Sequence, residues 1–156
     1  MKYNLDDKDR KILMILQKNA RETLTNISRN IGLSVDAVHN RIKKMVKHDI
    51  FSQTININPR AIGYPLICEV KVRLKNASRK DAEVFDKYLK NQPQVIEAFH
   101  ILGDWDYTLV FIAKDTADLG EVTHEVRFQF NKIIADWRSV TNLSDIKFEE
   151  YDMMKL

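Results

Sequence analysis

The tripeptide Gly32-Leu33-Ser34 constrains this chain more than any other stretch, because it stands between two short segments with helical apolar spacing. Glycine tolerates the left-handed backbone that ends a helix, leucine can plug the corner, and serine can cap the helix that follows. Upstream, Leu24, Ile27 and Ile31 predict a short helix over residues 25–31, with Thr23 or Thr25 available as its cap. Downstream, from Ser34 to Lys47, the apolar positions Val35, Val38, Ile42, Met45 and Val46 predict a helix with one buried face. Helix, tight glycine turn, helix is the helix-turn-helix arrangement. A further amphipathic segment over residues 6–19 turns Ile12, Leu13, Ile15 and Leu16 inward. Its first turn carries Asp6, Asp7 and Asp9, where the helix dipole favours negative charge.

The surface left outside by the helix beginning at Ser34 is chemically suited to double-stranded DNA. Asn can pair bidentately with adenine, Arg with guanine, and Lys with phosphate. Ser34, Asp36, Ala37 and Asn40 occupy the first turns, from which a recognition helix reaches base edges. Arg41, Lys43, Lys44 and Lys47 follow and suit the DNA backbone. Charge is distributed in the same sense. Residues 1–60 hold 12 Lys or Arg against 6 Asp or Glu, a net +6, whereas the remainder holds 13 against 16, a net −3. That asymmetry fits a chain of which one part meets a polyanion, although a basic solvated helix face would look alike.

Beyond this region the pattern changes to strands. Residues 52–58 are β-prone and end at Pro59, and the stretch to Pro65 reads as a hinge. Leu66, Cys68, Val70, Val72 and Leu74 alternate with Ile67, Glu69, Lys71, Arg73 and Lys75, as in a half-buried strand. A helix is predicted over 77–91, strands over 95–102 and 107–113, a helix over 115–134 and a last strand over 145–151. This β-α-β-β-α-β order is the ferredoxin-like unit, so the chain belongs to the α+β class. The expected division is 1–51 for the helix-turn-helix domain, with or without a wing, 52–64 for a short strand and hinge, and 65–156 for the ferredoxin-like domain. A sheet with one helix-free face commonly buries that face on a second copy, so a homodimer is expected.

Several function classes find no support in the sequence. No apolar run approaches the ~20 residues that span a bilayer, and the polar, acidic start is unlike a secretory signal. One cysteine, Cys68, forms no intrachain disulfide, which suits a reducing, cytoplasmic setting. His39, His48, His100 and His124 are dispersed, with no metal-ligand spacing. A phosphate-binding glycine loop and a nucleophile elbow are both missing, so no cofactor is expected.

Taken in order, these pieces resemble the Lrp/AsnC family of transcription regulators across nearly the whole chain. Leu5-Asp6-Asp7-Lys8-Asp9-Arg10-Lys11-Ile12-Leu13 resembles its opening helix, and Gly32-Leu33-Ser34 with Arg41-Ile42-Lys43-Lys44 its turn and recognition helix. Asn58-Pro59 with Gly63-Tyr64 resembles its hinge, and Gly103-Asp104-Trp105-Asp106-Tyr107 its glycine-aspartate loop. The resemblance implies dimers, often assembled into octamers, bound to pseudo-palindromic operators, with an amino-acid effector held at the interface between dimers. By motif, the effector would meet Leu102, Gly103, Asp104 and Asp106 together with Val140, Thr141 and Asn142. The loop aspartates could equally decorate a tight turn. The chain departs from the family pattern at Asp49, where a glycine is usual, and over residues 136–142, where a Gly-Val step and two spaced threonines are usual. A tetrapyrrole-handling decarboxylase built on the same two domains is the alternative reading, although such enzymes carry a histidine in the loop that here reads Gly-Asp-Trp-Asp-Tyr.

Overall fold

Helix starts and stops in the first part of the chain are set by short polar side chains and one glycine. The computed structural model describes residues 3–156. Helix α1 (Asp7–Lys18) begins with a reciprocal cap, in which the Asp6 carboxylate accepts from the Asp9 N–H at 2.8 Å and the Asp9 carboxylate from the Asp6 N–H at 3.3 Å. Helix α2 (Leu24–Ile31) is capped by the Thr23 hydroxyl and ends at Gly32, whose φ of 67° lies in the left-handed region. The Lys8 ammonium donates to the Ile31 carbonyl at that end. Helix α3 (Val35–Lys47) is capped by the Ser34 hydroxyl, which accepts from the Ala37 N–H at 3.2 Å.

Ile12, Leu13, Leu16, Ile27, Ile31, Val38 and Met45 form the core of this helical unit. Val35 and Val46, expected inside, are 40% and 42% exposed, because α3 buries only the narrow stripe of Val38, Ile42 and Met45. After α3 the backbone turns at Asp49 with φ of 53°, in the position where the family pattern has glycine. No strand forms in this unit among the described residues. Residues 52–58, expected as a strand, have no ladder partner, and Ile55 and Ile57 are exposed. Their backbone groups pair with no strand among the described residues.

The chain divides into two compact units. One comprises the chain up to Asn56 together with Ile146–Leu156, and the other is Ile57–Asp145. The second unit opens with a 3-10 turn, Pro59–Ile62, and continues β1 (Leu66–Leu74), α4 (Arg79–Asn91), β2 (Val95–His100), β3 (Tyr107–Ala113), α5 (Thr116–Gln129) and β4 (Ile134–Asn142). Its four strands lie in the order β2-β3-β1-β4, every pair antiparallel, the ferredoxin-like arrangement. Cys68, Val70, Val72, Leu109 and Phe111 from the sheet meet Phe85 and Leu89 of α4 and Val122 and Val126 of α5 in one core. Opposite parity places Glu69, Lys71 and Arg73 on the other face, where no helix of this unit packs. That face also carries Phe99 and Val140, each about half exposed.

The last strand is a correction. It runs over Ile134–Asn142, not over 145–151. Its core-side positions after Trp137 are Ser139 and Thr141, while Val140 faces outward, so the hydrophobic alternation runs opposite to a half-buried strand. Residues 145–151 do alternate apolar and charged, yet they pair with no strand and mostly fall in the helical unit.

Candidate nucleic-acid interface and ligand loop

Helix α3 carries the side chains that the sequence singled out for DNA. Asp36, Asn40, Lys43, Lys44 and Lys47 are exposed, and Ala37 is half-buried. Asn40 stands three and four residues before Lys43 and Lys44, and Lys47 four and three after them, so the four share one flank of the helix. They border an open groove of about 650 Å³ closed on the other side by Tyr3, Asn4 and Asp6. Ser34 already uses its oxygen as the helix cap, which leaves its O–H free to donate.

Arg41 stands apart from its neighbours. Its Nη1 lies 2.7 Å from Asp6 Oδ2 and 2.7 Å from Asp9 Oδ1. Asp9 is only 2% exposed and accepts a third hydrogen bond from the Tyr3 hydroxyl at 3.2 Å. The hydrogen bonds it donates to Asp9 and Asp6 raise the Arg41 pKa. The Asp9 N–H and then Arg41 hold the Asp6 carboxyl below its ordinary range, although partial desolvation opposes them. Burial, followed by the nearby Asp9 charge, pushes the Tyr3 phenol up. Arg41, expected at the DNA backbone from its sequence position, here ties α3 to the start of α1 through both carboxylates. Asp6 and Asp9 were legible only as a helix start, since Arg41 lies 35 and 32 residues away, and Tyr3 carried no sequence signal.

The loop of residues 101–106 precedes β3. Gly103 has φ of 145°, Leu102 is fully exposed and Asp104 is exposed. Asp106 is already engaged: its Oδ2 accepts from the Leu74 N–H at 2.7 Å and its own N–H donates to the Val72 carbonyl at 2.9 Å. Trp105 lies under the Arg73 guanidinium, 4.9 Å from Cζ to the ring centroid. Val140, Thr141 and Asn142 sit elsewhere, paired with Glu69, Cys68 and Ile67. Since the loop adjoins Val72 and Leu74, the two groups lie toward opposite ends of β1, roughly 10–23 Å apart at the rise of a strand. One copy of the chain does not bring them together.

The histidines are likewise separate. His100 Nε2 lies 3.1 Å from Asp86, whose other oxygen accepts from the Tyr107 hydroxyl at 2.8 Å. Burial and then that bond raise the Tyr107 pKa. His48 lies beside the Tyr3 ring, and His124 stacks on Phe128. No cluster of three metal-ligating side chains occurs among the described residues, and none of the helices among them is long and apolar enough to cross a membrane.

A basic helix-turn-helix followed by a ferredoxin-like unit defines a two-part DNA-binding regulator. The chain matches the AsnC-type helix-turn-helix domain over residues 5–46 and the Lrp/AsnC ligand binding domain over residues 67–148. It belongs to the Lrp/AsnC family of transcription regulators. It is 33% identical to the regulatory protein AsnC of Haemophilus influenzae over 121 residues, covering 77% of this chain and 79% of that one. It is 32% identical to the HTH-type transcriptional regulator FL11 of Pyrococcus furiosus over 120 residues, covering 76% and 78%. Among solved structures, a Neisseria meningitidis transcriptional regulator in complex with L-Met superposes with a TM-score of 0.83 at 25% identity, covering 93% of this chain and 94% of that one. An AsnC family regulator of Agrobacterium tumefaciens gives 0.84 at 25% identity, covering 97% and 99%.

Proposed function

We propose that the chain reads a pseudo-palindromic operator as a homodimer, with the first turns of α3 on base edges and its lysine-rich end on phosphates. The carrying observation is the division of labour on α3. Arg41 is neutralised by two aspartates, whereas Lys43, Lys44 and Lys47 have no ion-pair partner among the described residues and line up with Asn40. In this reading Arg41 is a positioning residue, and the helix-free sheet face is the surface a second copy covers. The protein acts without catalysis, in the cytoplasm.

Binding to operator and random DNA across a salt series tests the assignment. Lys44→Ala is expected to weaken all sequences alike and to flatten the log–log salt slope by about one. Asn40→Ala is expected to lose about 1–3 kcal/mol of discrimination at one base pair. Arg41→Met is expected to weaken binding with the slope unchanged. A slope that drops by one in Arg41→Met would return that residue to the phosphate contacts.

For control, the amino-acid effector is taken up between copies of the chain. The support is the separation just described: Leu102 to Asp106 and Val140 to Asn142 lie too far apart in one copy to grip one small molecule. The L-Met complex of the Neisseria relative makes an amino acid the class to try first. Assembly mass measured with and without each protein amino acid tests this, and a mass indifferent to all of them counts against it. Haem added to the protein should leave it colourless; a new visible band would favour the decarboxylase reading.

A further inference from the structure

We propose that α1 presents a peptide-docking face whose occupant is this chain's own segment Ile146–Leu156, and that the seated segment supports DNA binding. The second half rests on the DNA-binding reading above; the first half does not. Arg10, Met14 and Gln17 fall at i, i+4 and i+7 on α1 and therefore form one row. Each engages the backbone of the segment. The Gln17 Nε2 donates to the Tyr151 carbonyl at 3.0 Å and its Oε1 accepts from the Tyr151 N–H at 3.0 Å. Arg10 Nη1 donates to the Met153 carbonyl at 2.8 Å, and the Met153 N–H points to Met14 Sδ at 3.3 Å.

The chemistry of this row is that of strand recognition. A glutamine amide has the donor and acceptor of a peptide group, so its paired bonds to one residue imitate the closely spaced pair of a β-ladder. Slipping the segment by one residue would present side chains where backbone groups are needed, so the register is fixed. Met153 packs on the core of the helical unit, and Asp152 closes a turn by accepting from the Lys155 N–H at 3.0 Å. A groove of about 440 Å³ beside it is lined jointly by Leu13, Leu16 and Phe51 and by Tyr151 and Met153 of the segment.

Function enters through the helix that the segment grips. The start of α1 holds the recognition helix through Asp6 and Asp9, and the same helix holds the strap through Gln17. The strap also follows directly on β4, with residues 143–145 between them. It is thus a second covalent link between the DNA-binding unit and the ligand-binding unit, besides the link at residues 56–57. Events at Val140 to Asn142 have a short path into it.

Amide-resolved hydrogen exchange on the full chain, paired with operator binding, tests the proposal. Gln17 is exposed and alanine is the better helix former, so Gln17→Ala leaves α1 itself intact. It is expected to speed exchange of the Tyr151 amide on the order of tenfold, with the amides of β1 and β3 unchanged. Gln17→Glu keeps the acceptor and loses the donor, so it should fall between Ala and wild type. Operator affinity should drop several-fold in Gln17→Ala with the salt slope unchanged, because no phosphate contact is lost. A Tyr151 amide exchanging at the free-peptide rate in the wild-type protein would overturn the docking. A loosened strap with unaltered operator affinity would overturn its role in binding. A wild-type chain that binds no DNA defeats the DNA-binding reading and that role with it, and the exchange result alone then decides the docking.

Discussion

Asp6 with Asp9 at the start of α1, and Ser78 with Asp81 at the start of α4, close the same reciprocal cap and then put it to different uses. In α4 the cap ends the matter: Asp81 is exposed and bonds only Ser78, through both its N–H at 2.9 Å and its hydroxyl. In α1 the corresponding carboxylate, Asp9, is buried and also takes Tyr3 and Arg41. The two buried polar side chains among the described residues, Asp9 and Ser28, both lie in the DNA-binding unit. The core of the ligand-binding unit is apolar apart from Tyr107, whose hydroxyl reaches Asp86. A sheet needs no such anchor, because its ladder orients every strand. Three short helices share no ladder, so the angle of the recognition helix is set by a few directional bonds.

The largest effect expected from this contrast belongs to the apolar core. Phe85 is fully buried between Tyr107 and Phe130, with ring centroids at 5.1 and 4.7 Å. Phe85→Ala should cost about 3–5 kcal/mol in chemical denaturation, and the loss should appear in the amides of the sheet. Asp9→Ala should cost less, about 2–3 kcal/mol, because Arg41 is partly solvated and keeps Asp6. Its signature should be exchange along α1 and α3; a cost spread evenly over both units would break the contrast. Asp49→Gly should raise the stability of the helical unit by about 0.5–1 kcal/mol, since φ of 53° strains any residue with a Cβ. Thermal denaturation resolves that gain.

The smallest effect is in acid. The folded Asp6 carboxyl lies below its unfolded value, so its contribution is present above the ordinary carboxylate range, near pH 4, and disappears as pH falls through the depressed folded value. Asp81 is held down too, by its bonds to Ser78. Carboxyl titration by NMR separates the two caps. Arg41→Met should move Asp6 up and leave Asp81 where it is, and equal movement of both would deny the difference in use.

Much of the helix-turn-helix was legible because its signals are local. Thr23, Gly32 and Ser34 act on the backbone within a few residues, and the structure uses all three. The ion pairs of Arg41 were not legible, because its partners are 35 and 32 residues away and nothing in the intervening chain marks them. The last strand was hidden by Ser139 and Thr141 on its core side, while residues 145–151 show the period of a strand and serve as a strap. With β4 displaced, nothing indicated that Val140 to Asn142 and the loop at Gly103 stand at opposite ends of the sheet. Asp106, read as a ligand, is held by the Leu74 N–H, a partner visible only once the strands are paired.

The strap makes the DNA-binding unit discontinuous in sequence, with the whole of Ile57–Asp145 inserted into it. Synthesis runs in one direction and folding follows it, domain by domain. The three helices therefore leave the ribosome with the Gln17 row bare, and the piece that covers it is made only after every strand of the sheet. A nascent chain holds an unfinished reading head for most of its synthesis, and the finished one arrives together with the unit that is to control it.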